Sequence, residues 1–96
     1  MKTQARIIYR ETKAGFDDRG DVVVYLSPAE KGTGVQLDIE SRVMSMFGDQ
    51  IRASVLDVIE NYELTDLKVR VHDRGALDYV IRARLITAIE RAVREG

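Results

Sequence analysis

The sequence lacks cysteine and tryptophan altogether, and its 96 residues include one proline and one histidine. Without cysteine the chain has no disulfide framework, thiolate nucleophile or thiolate metal site, which fits a reducing cytosol. The single histidine, His72, is not visibly paired with a serine nucleophile, and it cannot build a metal centre alone. We therefore expect no metal site and no catalytic residue.

Long hydrophobic runs are also absent. The apolar residues nearest the N-terminus, Ile7, Ile8 and Tyr9, are flanked by charge and are too few for a signal peptide or a membrane span. A chain of 96 residues builds one domain with a modest core and has little room for a deep catalytic pocket. These limits favour a cytoplasmic binding or carrier protein whose chemistry takes place against a partner.

Neither sign of charge dominates, because 15 basic and 16 acidic residues give a formal net charge of −1. The charge is nevertheless segregated: five basic and three acidic groups in residues 1–20 give +2, three and nine in 21–66 give −6, and seven and four in 67–96 give +3. This pattern predicts that the middle and the end of the chain attract each other, or that a partner recognises them separately. Nucleic-acid-binding domains are more often strongly basic and rich in aromatics for stacking.

Three strands are predicted from apolar patterning. Residues 22–26 form a β-branched and aromatic run that ends at Pro28, and its continuous apolarity predicts cover on both faces. Residues 35–40 and 67–72 alternate apolar with polar side chains, which is the period of a half-buried strand, and Val43 extends the first of these. The loop between the first two strands predicts a β-hairpin. Residues 6–10 are a candidate short edge strand.

Two amphipathic helices are also predicted. The first runs to about residue 62 with Gly48 in or near its first turn, because glycine destabilises a helix interior. The second follows the turn at residues 73–75. Their apolar stripes recur every three or four residues and consist of Phe47, Ile51, Val55, Val58, Ile59 and Tyr62 in the first helix, and of Leu77, Val80, Ile81, Leu85, Ala88, Ile89, Ala92 and Val93 in the second.

The predicted order is strand, strand, helix, strand, helix. Two helices with one apolar stripe each suit a two-layer α+β domain, in which they cover one face of a small three- or four-stranded mixed sheet. The helical crossover between the second and third predicted strands makes those strands parallel. We assign residues 21–96 to a single domain, and residues 1–20, with their glycines and mixed charge, to a flexible N-terminal arm.

The turn at residues 73–75 has two interpretations. Gly75 permits a positive φ and Asp73 can accept hydrogen bonds from backbone amides, which describes a strand-to-helix corner. In the alternative, the helix N-terminus after Gly75, with Arg74 beside it, offers free N–H groups to a phosphate.

Arg82 and Arg84 lie two residues apart on the second helix, so their side chains point about 200° away from each other. Either their methylene stems cover the core, or they dock on acidic surfaces of a partner. For His72, at the end of the third predicted strand, a place on the polar face is the preferred interpretation and an acid-base role is the alternative.

Three motifs carry a resemblance to a known family. They are Phe47-Gly48-Asp49-Gln50-Ile51, then Leu56-Asp57-Val58-Ile59, and then the segment from Asp73 to Leu85, which reads DRGALDYVIRARL. With these motifs in this order, residues 14–95 resemble the acyl carrier (gamma) subunit of citrate lyase.

The resemblance implies a non-catalytic carrier that works between the alpha- and beta-type subunits of a lyase complex. It also implies a 2'-(5''-phosphoribosyl)-3'-dephospho-coenzyme A group, held by a phosphodiester to a serine in the arm before the first strand. Within the best-matched motif, Arg74, Gly75, Arg82 and Arg84 are candidate contacts to phosphate or to partner subunits.

The arm matches the family at Ala14, Gly15 and Asp21, but Arg19 occupies the position of the serine. Arginine has no hydroxyl and cannot form the phosphodiester. Thr12 and Ser27 replace the serine only if the arm registers differently from the family.

Three hypotheses follow from this mismatch. The first is a citrate-lyase-type carrier with a displaced or engineered attachment residue. The second is a cargo-free homologue that acts as a scaffold or regulatory protein. The third is a small domain that binds nucleic acid through Arg70, Arg74, Arg82, Arg84, Arg91 and Arg94.

Overall fold

A computed structural model describes residues 7–41 and 44–93 of the chain. Over these residues it confirms the predicted α+β class, with four strands and two helices. In chain order the elements are β1 (Thr12–Gly15), β2 (Val22–Pro28), β3 (Val35–Ser41), α1 (Met44–Asn61), β4 (Leu67–Asp73) and α2 (Asp78–Ala92). In the described part of the chain, neither helix is long and apolar enough to cross a membrane.

The strands form one sheet in the order β1-β2-β4-β3. β1 pairs antiparallel with β2, and β2 pairs antiparallel with β4. β3 pairs parallel with β4, as the helical crossover predicts. The predicted hairpin between β2 and β3 is wrong, because β4 returns through α1 and lies between them.

Both helices pack on one face of the sheet and enclose a single core. Alternate residues of β2 and β4 supply its floor. The helices contribute the apolar stripes expected of them, except that the predicted stripe residue Leu77 lies just before α2 and is 62% exposed. The fully buried large side chains are Leu26, Leu67, Leu85, Ile89, Val22, Val24, Val55, Val69 and Val71. Phe47 and Val43 belonged to the predicted core pattern; residue 43 and the side chain of Phe47 lie outside the described part of the chain.

The prediction that both faces of β2 are covered is confirmed in part: Val23 on the second face is 4% exposed, but among the described residues no helix packs on that face. The second face of β2 carries Val23, Tyr25 and Ser27 and looks away from the helices. Side chains of the neighbouring strands shield this face. The His72 ring meets the Tyr25 ring edge-on with 5.6 Å between centroids, and Lys13 Nζ lies 5.9 Å from the centroid of the Tyr25 ring. Long side chains of adjacent strands therefore replace a second layer.

The edge strand β1 lies at Thr12–Gly15, not at residues 6–10, and so falls inside the segment predicted to be a flexible arm. Thr12 Oγ1 donates to the carbonyl of Ala88 at 2.8 Å, and Ala14 is buried in the core. Residues 12–15 therefore belong to the sheet. Residues 1–6 of the predicted arm lie outside the described part of the chain, and the division at residue 20 stays a prediction.

Candidate functional site

The loop between β1 and β2, residues 16–21, contains Arg19 and begins at a glycine with an unusual backbone. Gly15 has φ +98°, and a Cβ at this position would lie 1.8 Å from the carbonyl oxygen of Val22. A side chain is therefore excluded where the loop leaves β1. The loop closes through a turn in which the amide of Asp21 donates to the carbonyl of Asp18 at 3.0 Å.

Backbone hydrogen bonds attach this loop to the corner between β4 and α2. The amide of Gly20 donates to the carbonyl of Arg74 at 2.8 Å, and the amide of Arg74 donates to the carbonyl of Asp21 at 2.9 Å. The guanidinium of Arg74 adds a bond from Nη1 to Asp17 Oδ1 at 2.9 Å. The C-terminal end of the predicted arm is thus anchored to the folded body by one residue of the best-matched motif.

Arg84 of α2 holds the same loop from the helix side. Its Nε and Nη2 donate to Asp21 Oδ1 and Oδ2 at 3.1 and 2.8 Å, a bidentate pair. The hydrogen bond from Arg84 lowers the pKa of Asp21, against the opposing effect of burial, and the amide of Val22 assists by donating at 2.7 Å. Arg84 Cζ also lies 5.6 Å from the Phe16 ring centroid. Both ends of the loop therefore contact Arg84.

The corner itself is organised by Asp73, which is 3% exposed. Its Oδ1 accepts from the amides of Gly75 and Ala76 at 3.1 and 2.8 Å, and its Oδ2 accepts from Ser41 Oγ at 2.7 Å. Together with φ +95° at Gly75, these bonds confirm the strand-to-helix corner.

The backbone amides at and after Gly75 are not free to bind a phosphate. The amides of Gly75 and Ala76 already donate hydrogen bonds to Asp73 Oδ1. α2 does not begin straight after the glycine but at Asp78, whose carboxylate lies in the first turn, where it complements the helix dipole.

Arg82 lies on the other side of α2 and joins the two helices. Its Nη1 donates to Asp57 Oδ2 at 2.8 Å and its Nε to Asp78 Oδ2 at 2.9 Å, while Nη2 lies 3.4 Å from Ser54 Oγ. Ser54 Oγ in turn donates to Asp78 Oδ1. The carboxylates, Asp57 first, raise the pKa of Arg82, and the bond from Ser54 is the main cause that lowers the pKa of Asp78. One ion-pair network thus connects the second and third sequence motifs.

The structure therefore separates the predicted site residues into two groups. Arg74 and Arg84 lie at the loop that carries exposed Arg19, whereas Arg82 lies at the interface between α1 and α2. His72 lies on the open face of the sheet, with Nε2 3.5 Å from Glu40 Oε1.

Four partners of these arginines were not predicted from the sequence: Asp17, Asp21, Ser54 and Asp57. The sequence indicates only the ion pair between Asp78 and Arg82, because these residues lie one helical turn apart.

Comparison with known proteins shows the family to which this chain belongs. A family model described as ACP, malonate decarboxylase delta subunit (MdcD), matches residues 9–92. The citrate lyase acyl carrier protein of Edwardsiella ictaluri is 46% identical over 79 residues, which cover 82% of this chain and 80% of that protein. The protein of the same name from Serratia proteamaculans is 45% identical over 89 residues, which cover 93% and 86%.

Among solved structures, a chain of a Pseudomonas malonate decarboxylase hetero-tetramer in complex with malonate superposes with a TM-score of 0.74. It is 21% identical, and the match covers 94% of this chain and 91% of that one, so it shows a shared fold. The sequence matches and the common fold agree, and the resemblance noted from the motifs is confirmed. The chain belongs to the acyl carrier protein family of citrate lyase and the malonate decarboxylase delta subunit, and it is a carrier-type subunit rather than an enzyme by itself.

Proposed function

We propose that this chain is the acyl carrier (gamma-type) subunit of a citrate-lyase-like complex in the cytoplasm, where it assembles with alpha- and beta-type subunits. One observation carries the proposal: Arg74 and Arg84 fasten the loop in which this family carries its cargo. Since both arginines belong to the best-matched motif, the motif serves to build and present that loop.

The fastened loop forms a platform at one end of the β1–β2 hairpin. Phe16 is 63% exposed, and Asp18 and Arg19 are exposed beside it. A partner subunit therefore meets an apolar ring and charged side chains held on a backbone that Gly20, Arg74 and Asp21 pin in place. Such preorganisation reduces the entropy that docking costs.

The residues of this loop do not fit the group that the family resemblance implies. A phosphodiester to 2'-(5''-phosphoribosyl)-3'-dephospho-coenzyme A requires a hydroxyl, and residues 16–21 read FDDRGD. The nearest serine and threonine hydroxyls in sequence do not replace it: Thr12 Oγ1 donates to the carbonyl of Ala88 beneath α2, and Ser27 lies near the far end of β2, opposite Lys68.

The missing hydroxyl favours a second candidate function, that of a cargo-free homologue acting as a scaffold or regulatory subunit. It keeps the same partners and the same platform, and it differs only in carrying no acyl group.

The nucleic-acid hypothesis gains no support from the arginines. Arg70, Arg74, Arg82 and Arg84 each form an ion pair with an aspartate of this chain, so part of their charge is already neutralised. Arg94 lies outside the described part of the chain.

Intact mass and co-purification test the proposal. We would express the chain with alpha- and beta-type citrate lyase subunits and the lyase-specific transferase, alongside an Arg19→Ser variant as the matched control. Both forms should co-purify with the large subunits, and the variant should gain the mass of one prosthetic group.

A wild-type chain at its sequence mass then establishes the cargo-free form, and a wild-type chain with added mass establishes the loaded carrier, with peptide mapping to locate the attachment. Failure of both forms to co-purify would refute the subunit role.

A further inference from the structure

In residues 7–41 and 44–93 no strand lies beside the outer edge of β3. Among the described residues, β3 is the last strand of the sheet on its side and pairs with β4 alone. The amide of Leu67 donates to the carbonyl of Gly34, and this bond fixes which residues of β3 turn their backbone groups toward β4. In such a ladder alternate residues turn their N–H and C=O groups away from the partner strand. In β3 these outward groups belong to Val35, Leu37 and Ile39.

The side chains of β3 leave the core unfinished at this edge. Val35, Leu37 and Ile39 pack against the core but are only half-buried, whereas their counterparts on β4, Leu67, Val69 and Val71, are buried. A further strand beside β3 would cover the remaining apolar surface and bond the outward backbone groups, which is the usual way in which a sheet binds an extended peptide.

The existing partner of β3 shows which sequence fits it. β4 reads Leu-Lys-Val-Arg-Val-His over residues 67–72, with apolar side chains toward the helices and basic ones on the open face. Across the ladder, Arg70 lies 3.8 Å from Asp38 and His72 lies 3.5 Å from Glu40. Both acidic side chains remain mostly exposed, so they can face a second basic strand on their other side.

A second copy of this chain does not fit. If two β3 strands paired edge to edge, the open face would bring Asp38 and Glu40 of one copy next to the same acidic side chains of the other. Like charges at opposed positions of a sheet are destabilising.

From these observations we infer that β3 is a docking edge for an extended segment of a partner protein in which basic and apolar residues alternate. The segment adds a fifth strand, its apolar side chains cover Val35, Leu37 and Ile39, and its basic side chains face Asp38 and Glu40. The inference stands on β3 alone and does not depend on whether a prosthetic group is attached.

A capped peptide of the β4 sequence, LKVRVH, is the probe, added to the full chain and followed by ¹⁵N chemical shifts. We expect saturable shifts concentrated on residues 35–40. The double change Asp38→Asn with Glu40→Gln should weaken binding by about 2- to 30-fold, since each cross-strand charge pair contributes a modest amount. The matched control, Asp49→Asn with Glu60→Gln, removes the same charge from exposed positions of α1 and should leave affinity unchanged.

Three outcomes would overturn the inference. The first is the absence of localised shifts at millimolar peptide, with the fold of each variant verified by its spectrum. The second is equal weakening in the control variant or equal binding of an acidic peptide, LEVEVQ. The third is concentration-dependent dimerisation through β3 without peptide, measured by sedimentation, which would make a second copy the occupant.

Discussion

Replacing Gly15 by alanine should destabilise the chain strongly, and the structure indicates by how much. The new Cβ would lie 1.8 Å from the carbonyl oxygen of Val22 and 3.0 Å from its carbonyl carbon, and these are backbone atoms that cannot move aside alone. A positive φ costs an alanine about 1–2 kcal/mol, and forcing extra volume into a packed site costs about 1–3 kcal/mol more. We therefore expect a loss of about 2–5 kcal/mol.

The matched control is Gly20→Ala in the same loop. Gly20 also has a positive φ, +83°, but nothing lies within 4 Å of the position that an alanine methyl group would take, so this change carries the conformational cost without the clash. Urea denaturation followed by circular dichroism should place Gly15→Ala at least about 1 kcal/mol below Gly20→Ala in unfolding free energy. Equal losses in the two variants would show that the close approach of Gly15 to Val22 has no energetic weight.

Two further predictions concern carboxylates of the site. Because Arg84 lowers the pKa of Asp21 in the folded state, the stability that this pair contributes is present at neutral pH and is lost as the pH falls below about 4 and through the folded pKa. Asp21→Asn should therefore lower the unfolding free energy at pH 7 and lower it progressively less as the pH falls below about 4, and an effect that does not change with pH would contradict the assignment. Asp73→Ala removes the acceptor of two amides and the hydrogen bond from Ser41 to Asp73, so it should cost about 2–4 kcal/mol by urea denaturation. Ser41→Ala should cost about 1 kcal/mol, and similar costs for the two variants would argue against the corner's dependence on Asp73.

Regular patterning explains which elements were predictable. β3, β4 and α2 bury one face each, so alternation or a stripe every three to four residues marks them in the sequence. β1 was not predicted at its observed position, because it is four residues long and Ala14 is its only buried side chain. The position of β4 between β2 and β3 was not predicted either. Strands that are neighbours in sequence usually pair, but β2 and β3 do not.

The contacts of the site were less predictable than the fold. Asp21 and Arg84 are 63 residues apart, and only the tertiary fold brings them together. The same holds for Asp17 with Arg74, 57 residues apart, and for Asp57 with Arg82, 25 residues apart. Local sequence shows that these residues are charged and on polar faces, but it contains nothing that assigns their partners.

Arg82 and Arg84 act on different parts of the molecule, and their contacts bear on position 19, where the family resemblance leads one to expect a serine. Arg82 joins α1 to α2, and Arg84 holds the loop through Asp21. Neither contact uses the side chain at position 19, which is exposed at the loop tip. The contacts that hold the loop therefore place no demand on that side chain, and the backbone of the loop can stay the same whatever residue stands at position 19. Under the proposed function, Arg19 therefore removes the hydroxyl that the cargo would need without changing the contacts that hold the loop.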